Sequence, residues 1–250
     1  MTVKPGTADS VFYANYHKLR DDHIPQDEPI WLDWMRQRVC QNFPELYGLS
    51  AEARVVDLPC GNGFLVADLA TNGFCNITAI DLSPDQIEHA KNNLIRLGGN
   101  ADQVTFECTD GIGYLQSRPN SCDAVVTLDM LEHLDRDRVM ACLQSMFQSL
   151  KPGGLLCVRV PNALAMPFGR FYEDFTHVTP FTAPTLRQCL VASEFEIVRV
   201  GYEEFVFWPD QPVWKQRLKQ PLRRLARWFL ATLMQIKSEQ LTENLVAVAK

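Results

Sequence analysis

The 250 residues of the chain suffice for one large core, and the composition, 46% hydrophobic and 22% charged, is ordinary for a globular protein. The net charge of −6 disfavours a nucleic-acid partner, and no apolar stretch reaches the roughly 20 residues that a membrane span requires. No secretory leader is visible and the eight cysteines are scattered without a CxxC pair, which predicts a cytoplasmic protein with reduced thiols.

The first 50 residues hold two predicted helices, at about 8–20 and 30–43, which we expect to form an N-terminal helical cap. From residue 51 to residue 250 we expect one domain, in which apolar runs alternate with segments of helical periodicity. Such an alternation predicts an α/β fold with a parallel sheet and helices on both faces. The predicted strands lie at 53–58, 76–81, 103–107, 122–128 and 153–160, and the predicted helices at about 62–72, 84–97, 111–117 and 136–149.

The pattern changes in the last third of the chain. Residues 161–181 are irregular and rich in Pro, Phe and His, and a predicted helix at 182–193 precedes an apolar run at 195–207. Residues 211–237 then carry seven basic residues and no acidic one beside an apolar stripe, which predicts a basic amphipathic helix inserted in the domain. The chain closes with a predicted strand at 244–249.

The stretch VVDLPCGNGF joins the first strand to the next helix through a glycine turn, a place where parallel sheets bind ligands. Gly61 and Gly63 allow the backbone to approach a ligand closely, whereas Pro59 has no N–H to donate. Asp81 ends the next strand, where a carboxylate can accept hydrogen bonds from ribose hydroxyls. The third glycine of a dinucleotide fingerprint is absent and Asp57 would repel a pyrophosphate, which favours S-adenosylmethionine over NAD.

Three more acidic residues follow the next strands. TDGIGYL places Asp110 after the third strand, and LDMLEHL places Asp129, Glu132 and His133 after the fourth. With these residues in place, the chain resembles the class I S-adenosylmethionine-dependent methyltransferases, whose motifs it matches in order over residues 53–162. The matching segments are VVDLPCGNGF, AIDLSPDQIEHA, TDGIGYL, AVVTLDMLEHL and LKPGGLLCVRVPN.

The resemblance implies a Rossmann-like sheet of seven strands with an antiparallel last strand, and methyl transfer from S-adenosylmethionine. The chain departs from the family at Pro59, which replaces the first glycine of the usual D-x-G-x-G-x-G turn; contact with the methyl donor would therefore rest on Cys60, Gly61 and Gly63. Asp57 and Gly61 would lie near the methionine part, Asp81 at the ribose, Asp110 at the adenine, and Leu128–Asp129 near the sulfonium. The full expected cofactor set is Asp57, Cys60, Gly61, Gly63, Asp81, Leu82, Asp110, Gly111, Leu128 and Asp129.

The long aromatic loop after the fifth strand, PNALAMPFGRFYEDFTHVTPFT, is expected to bind the methyl acceptor. Its DFTHVTPFT portion resembles bacterial methyltransferases associated with cell-surface polysaccharide synthesis, which implies O-methylation of a saccharide or another small molecule. An imidazole can take a hydroxyl proton near neutral pH; His177 is the preferred general base, with His133 and Asp174 as further catalytic candidates and loop packing as the alternative for both histidines. The expected acceptor-binding residues are Tyr16, Tyr172, Asp174 and His177.

Three alternative functions remain open at this point. An NAD-dependent oxidoreductase or a cofactor-binding scaffold without catalysis would share the fold. The third is an RNA 3′-end methyltransferase, a class that binds a divalent metal and that the acidic body disfavours. We expect no metal here, although Asp129, Glu132, His133 and His177 resemble the metal ligands of that class.

The basic segment at 211–237 has three interpretations: a helix packed on the sheet, a helix lying on a membrane surface, or a site for an anionic partner. If the helix lies on a membrane surface, Trp214 and Trp228 would be at the membrane interface and the protein would work at the inner face of the membrane.

Overall fold

The computed structural model describes residues 38–165, 170–203, 213–235 and 242–250. The predicted helix at 8–20, together with Tyr16, lies outside the described residues. Of the second predicted helix of the cap, residues 38–42 are described and are helical.

Seven strands form one sheet in the order β3-β2-β1-β4-β5-β7-β6. Neighbours among β1 to β5 are parallel, and β7 runs antiparallel to both β5 and β6. The predicted fold, a mostly parallel sheet whose last strand is antiparallel, is confirmed. The strands are β1 Val55–Asp57, β2 Ile77–Asp81, β3 Val104–Cys108, β4 Cys122–Leu128, β5 Leu150–Pro161, β6 Ile197–Tyr202 and β7 Asn244–Ala249.

Helices fill the connections between the strands, and several begin at the residues that sequence signals mark. The Ser83 hydroxyl accepts a hydrogen bond from the Gln86 N–H and Pro84 is the first helical residue of α3, as the SPDQ motif predicts. Short 3₁₀ helices span Ala101–Gln103, Leu131–His133 and Arg170–Glu173. The α-helices are α1 Pro44–Tyr47, α2 Phe64–Thr71, α3 Pro84–Arg96, α4 Gly111–Gln116, α5 Arg136–Ser149, α6 Ala183–Ala192 and α7 Val213–Met234.

The KPGG sequence at 151–154 was a predicted turn before the fifth strand, and here the structure differs. Strand β5 already begins at Leu150, and its pairing with β4 jumps from Cys122–Leu150 to Ala124–Leu155. The glycines therefore form a bulge inside the strand, because β5 has more residues than β4 over this interval.

Two apolar cores cover the two faces of the sheet, because successive strand residues point to opposite faces. Val55 and Val126 contribute to the core beneath α2 and α3. Val56 and Val125, one residue away in each strand, contribute to the core beneath α5 and α6. Among the described segments, no helix is both long and apolar enough to cross a membrane.

A buried chain of charges links the N-terminal helical segment to the sheet. Glu203, just beyond β6, forms a two-pronged ion pair with Arg38 and accepts a hydrogen bond from the Asn244 side chain at 2.7 Å. Its Oε1 atom also lies 3.8 Å from Nη1 of Arg159, which in turn pairs with Asp129. Arg38, Arg159 and Glu203 are each 7% exposed or less, and alternating signs compensate their charges.

We predict that Glu203→Gln lowers the free energy of unfolding by about 3–5 kcal/mol, because the buried guanidinium groups of Arg38 and Arg159 each lose a carboxylate partner. Urea unfolding followed by circular dichroism measures the loss. Glu45→Gln is the matched control, because the Glu45–Arg199 pair is also two-pronged but is about one-third exposed. The control should cost about 1 kcal/mol or less; equal losses in the two variants would contradict the prediction.

Candidate active site

The carboxyl ends of the parallel strands bring acidic residues to one edge of the sheet. Asp57 and Asp81 are the last residues of β1 and β2, Asp129 follows β4, and Asp110 follows β3. Strand β1 lies between β2 and β4, where the strand order reverses. This is the position at which open α/β sheets bind their ligands.

The glycine turn between β1 and α2 has one side against the protein and one side open. A Cβ atom on Gly63 would lie 2.6 Å from Cβ of Ala90 in α3, and this glycine has a φ angle of 78°. Gly61 has a φ angle of 50°, and a Cβ atom there would meet nothing within 4 Å. Gly63 is therefore required for packing, whereas Gly61 leaves space in which a ligand can approach the backbone. The Leu58–Pro59 peptide bond before them is cis.

The N–H groups of the turn already have partners within the protein. The N–H of Cys60 donates to the Ile80 carbonyl at 2.8 Å, that of Gly61 to Oδ2 of Asp81 at 3.0 Å, and that of Gly63 to the Cys60 carbonyl at 2.9 Å. The sequence predicted that ligand contact rests on Cys60, Gly61 and Gly63. Any such contact uses close approach of the backbone, because these three N–H groups are engaged.

Asp81 fixes the geometry at the end of β2. Its Oδ2 atom accepts from Gly61 and its Oδ1 atom accepts from the N–H of Ser83 at 2.9 Å. A carboxylate has about four acceptor positions, which leaves room for a further donor such as a ribose hydroxyl. Burial raises the pKa of Asp81, and these hydrogen bonds oppose the shift.

Asp57 is 2% exposed at the end of β1. Burial and, secondly, the Asp81 carboxylate raise the pKa of Asp57 well above its usual range. Two neighbouring buried carboxylates disfavour an anionic ligand and favour a cationic one, because a positive charge beside them relieves their repulsion and desolvation.

Three further residues of the predicted cofactor set lie along the same edge. Leu82 is 50% exposed after β2 and offers an apolar surface. Asp110 caps α4, where its Oδ2 atom accepts from the Gly113 N–H at 3.2 Å. Gly111 is a glycine for packing reasons, since a Cβ atom there would lie 2.2 Å from Cδ1 of Leu58.

Asp129 lies where predicted but has a partner that the sequence did not reveal. It adopts a φ angle of 54°, and its N–H donates to the Arg159 carbonyl at 2.9 Å. Both its carboxylate oxygens accept hydrogen bonds from the Arg159 guanidinium, through Nε at 3.0 Å and through Nη2. Burial lowers the pKa of Arg159, but the neighbouring carboxylates of Asp129 and Glu203 raise it by more. Arg159 is therefore a permanent cation.

The acceptor loop after β5 is held against the residues that follow β4. The backbone carbonyl of Glu132 accepts from the N–H groups of Val178 and Thr179, at 2.7 and 3.0 Å. The Thr179 hydroxyl donates to the Leu134 carbonyl at 2.6 Å. These bonds place His177 beside Glu132, although the two residues are 45 positions apart in the sequence.

The tautomer of His133 follows from its neighbours. The Thr176 hydroxyl donates to Oδ1 of Asp174 at 2.6 Å and lies 2.8 Å from Nδ1 of His133. A hydroxyl has one proton, so Nδ1 of His133 donates to Thr176 and Nε2 carries the lone pair. Burial and, secondly, the adjacent His177 lower the pKa of His133 to about 4. Thr176 was not among the predicted site residues; it orients both His133 and Asp174.

His177 presents its Nε2 atom in the same way. Its Nδ1 atom lies 2.9 Å from the Phe171 carbonyl, which can only accept, and Nε2 is therefore unprotonated in the neutral ring. Nε2 lies 3.9 Å from Oε1 of Glu132 and 3.9 Å from Oδ2 of Asp174. The His133 and His177 rings meet edge to face with centroids 4.7 Å apart. The three catalytic candidates from the sequence are thus neighbours.

The carboxylate of Glu132 is buried without hydrogen bonds from the described residues. Its side chain is completely buried, and neither carboxylate oxygen has a hydrogen-bond partner in the described part of the chain. Burial and, secondly, the negative charge of Asp129 raise its pKa well above the usual range. Ligand atoms of Glu132, His133 and His177 all lie within 4.8 Å of one another, a spacing compatible with a metal ion. Asp129, the fourth predicted member of a metal set, is instead engaged by Arg159.

Comparison with known proteins identifies the family. A family model described as a methyltransferase domain matches residues 31–200. The chain belongs to this methyltransferase domain family. The predicted class of enzyme, a methyltransferase, is confirmed.

The methyltransferase is also similar to curated relatives over somewhat more than half of its length. It is 33% identical over 153 residues to the ubiquinone biosynthesis O-methyltransferase of Xylella fastidiosa (strain 9a5c), covering 59% of this chain and 56% of that protein. It is 32% identical over 142 residues to the protein of the same name in Xanthomonas campestris pv. campestris (strain B100), covering 55% and 53%. The chain thus spans about half the length of these relatives, and their names give no support to an association with polysaccharide synthesis.

Solved structures of low sequence identity share the fold. An S-adenosylmethionine-dependent methyltransferase from Archaeoglobus fulgidus superimposes with a TM-score of 0.63 at 22% identity, covering 88% of this chain and 94% of that one. The magnesium protoporphyrin IX methyltransferase of Synechocystis PCC 6803, solved with S-adenosylmethionine, gives 0.61 at 16% identity, covering 98% of both chains. The fold of the methyltransferase is therefore one on which methyl transfer is known.

We predict that His133 titrates near pH 4, because its buried ring resists protonation. An unfolded histidine takes a proton near pH 6.5, and the unfolded state therefore binds more protons between about pH 6.5 and 4. The contribution of His133 to stability is lost as the pH falls through this window, up to about 3 kcal/mol. NMR of the imidazole C–H protons, with denaturant melts across this range, measures both effects. The exposed His89, replaced by Gln, serves as the matched control; a His133 midpoint near 6.5 would contradict the prediction.

Proposed function

We propose that the protein is an S-adenosylmethionine-dependent methyltransferase that methylates a hydroxyl group of a small molecule. The observation that carries the proposal is the open side of the glycine turn at Gly61, next to a pair of buried carboxylates, Asp57 and Asp81. This edge favours a cationic nucleoside: the carboxylates favour positive charge, Asp81 has acceptor positions left for a ribose, and Leu82 offers an apolar surface for a base. The bound donor supplies a methyl group activated by a sulfonium.

Each residue of this edge has a proposed role in holding the donor. Asp57 holds the ammonium group of the methionine part, and Asp81 holds the ribose. The adenine lies between Leu82 and Asp110, whose carboxylate would accept from the amino group. Cys60 and Gly61 shape the floor by close backbone approach, Gly63 and Gly111 allow the packing behind it, and Leu128–Asp129 form the side nearest the reacting methyl group. Orientation of the donor is the main contribution of these residues, since the reactive cation belongs to the donor.

His177 is the proposed general base. Its Nε2 lone pair accepts the proton of the acceptor hydroxyl, while the bond from Nδ1 to the Phe171 carbonyl keeps the ring in place. The carboxylate of Asp174, whose Oδ2 atom lies 3.9 Å from Nε2, stabilises the imidazolium that results. His133 stays neutral near pH 7 and holds the loop through Thr176. Tyr172, 77% exposed on this loop, would contact the acceptor at the rim.

A phenolic hydroxyl is the acceptor that this base fits best. The pKa of a phenol is about 10, which is far closer to the pKa of an imidazole than that of a sugar hydroxyl is. Proton transfer to His177 is therefore easier from a phenol than from a sugar. Similarity to ubiquinone biosynthesis O-methyltransferases supports the same choice. A saccharide hydroxyl, which the DFTHVTPFT segment suggested, is the second acceptor class and needs stronger activation.

The other functions receive less support. The pyrophosphate of NAD would face the buried carboxylates of Asp57 and Asp81. A scaffold without catalysis has no need of two histidines whose Nε2 atoms are kept unprotonated beside a buried glutamate. An RNA acceptor fits poorly with the net charge of −6.

We predict that the purified protein transfers a labelled methyl group from S-adenosylmethionine to catechols and other quinone precursors, and not to nucleotide sugars or lipid-linked saccharides. Asp81→Ala should weaken donor binding about tenfold or more, the effect of losing hydrogen bonds to a charged group. Titration calorimetry with S-adenosylmethionine and S-adenosylhomocysteine measures the affinity. Asp102→Ala, at an exposed position beyond α3, is the control and should bind normally. Uptake of NAD in place of both nucleosides would overturn the proposal.

A divalent metal ion is the second candidate for activating the acceptor, and the carboxylate of Glu132 favours it. A fully buried carboxylate without hydrogen bonds is costly unless an ion or a proton neutralises it. Glu132, His133 and His177 would hold the ion, a set of ligands that suits Mn²⁺ or Zn²⁺ better than Mg²⁺. Such an ion would lower the pKa of a bound hydroxyl. His177 would then be a ligand, so its two proposed roles exclude each other.

We predict, for the metal candidate, that Mn²⁺ or Zn²⁺ raises the melting temperature of the wild-type protein and that Glu132→Gln abolishes the shift. The shift should grow with rising pH, since the ion must displace the proton that the raised pKa of Glu132 retains. Differential scanning fluorimetry measures it without reference to activity. The exposed Glu173, replaced by Gln, is the control from the same loop. No shift with either ion, together with turnover that survives strong chelation, would exclude the metal and leave His177 as the base.

A further inference from the structure

Helix α7 carries an apolar surface that the protein does not cover. Trp228 is 61% exposed and Leu233 is 70% exposed, whereas among the described side chains of this helix Ala231 is the buried one. Exposed apolar side chains in such a continuous series mark a contact surface. The members of this α7 apolar surface are Leu222, Leu225, Trp228, Phe229, Leu230, Leu233 and Met234.

The position of α7 in the chain connects this surface to the active site. Strands β5 and β6 are both antiparallel to β7 and therefore run in the same direction. The connection that contains α7 leaves the sheet after Tyr202 and returns to it at Asn244. Both points lie at the edge where Asp57 and Asp81 end their strands.

The acceptor loop adds exposed apolar side chains at this edge. Tyr172, Phe175 and Val178 are 77%, 84% and 58% exposed, and Leu164 is 50% exposed. This loop follows β5, and one strand, β7, separates β5 from β6 in the sheet. The two connections therefore leave the sheet about 10 Å apart, twice the spacing of neighbouring strands.

We propose that the α7 apolar surface, together with the exposed apolar residues of the acceptor loop, docks on an anionic lipid bilayer. The docked protein faces the membrane with the edge that holds the active site. Resting on the function proposed above, the inference specifies the acceptor class: a hydroxylated ring with a lipid-soluble tail, which stays in the bilayer while its hydroxyl reaches His177. Amphipathic helices of this kind lie in the plane of the interface with their apolar side toward the acyl chains.

Charge selects the bilayer over a second copy of the chain. The sequence of α7 has six basic residues and no acidic one, in a protein whose net charge is −6. Pairing two α7 surfaces would bring the cations of both helices together, whereas anionic headgroups neutralise them. An exposed tryptophan in an apolar helix surface, such as Trp228, is typical of helices at a membrane interface.

The test is co-sedimentation of the full chain with lipid vesicles. Vesicles of phosphatidylcholine mixed with phosphatidylglycerol should retain the protein, and vesicles of pure phosphatidylcholine should retain far less; added salt should weaken the retention. The double variant Leu225→Glu and Phe229→Glu should lower partitioning about tenfold or more, since both side chains would be buried in the interface. Ile95→Glu is the matched control, because Ile95 is 67% exposed near the C-terminal end of α3, at the opposite edge of the sheet.

Sedimentation velocity and a turnover assay complete the test. Equal retention by both kinds of vesicle, or none, would overturn the proposal. A dimer that the double variant dissociates, without vesicle binding, would do the same and would assign the surface to a second copy. Turnover of a water-soluble phenol should be unchanged in the double variant, while turnover of a vesicle-embedded phenol should fall with the loss of binding. Vesicle binding by a protein without methyl transfer would uphold the docking surface and reject the proposed function.

Discussion

The carboxylate of Asp81 fixes the candidate donor site, because its two oxygens connect the glycine turn after β1 to the start of α3. One oxygen accepts from Gly61 in the turn after β1, and the other accepts from Ser83 at the start of α3. The glycine turn is thereby held against the end of β2, with Gly63 pressed on Ala90 and Gly61 left open. Hydrogen bonds within the protein thus create the space for a ligand.

The acceptor side is organised differently, around a group that is left without a partner. Backbone bonds to the Glu132 carbonyl pin the loop, and Thr176 orients Asp174 and His133. The carboxylate of Glu132 nevertheless remains buried and unsatisfied within the described residues. Proteins retain such costly groups where something else completes them, and here a proton, an ion or a protonated His177 can do this. The same buried carboxyl group thus underlies both the general-base and the metal interpretation.

The sequence predicted the parallel strands and the acidic residues at the edge of the sheet, because hydrophobic periodicity and glycine turns are local signals, and the resemblance added the antiparallel last strand. It did not predict which groups those residues bind. Arg159 stands within the apolar run of β5, and a cation in a buried strand was the one available signal of its pairing with Asp129. The occupied N–H groups of Cys60 and Gly61 and the bulge at KPGG depend on neighbouring strands, which local patterns do not encode.

The order of strands in the sheet has a consequence for biosynthesis. Strand β7 follows all the other strands in chain order, yet it lies between β5 and β6 and supplies every sheet hydrogen bond that β6 has among the described residues. Until it arrives, the nascent chain displays the open edge of β5, with its long apolar sequence, to other molecules. Deletion of residues 242–250, which contain β7, would leave that edge uncovered, and such a variant is expected to aggregate.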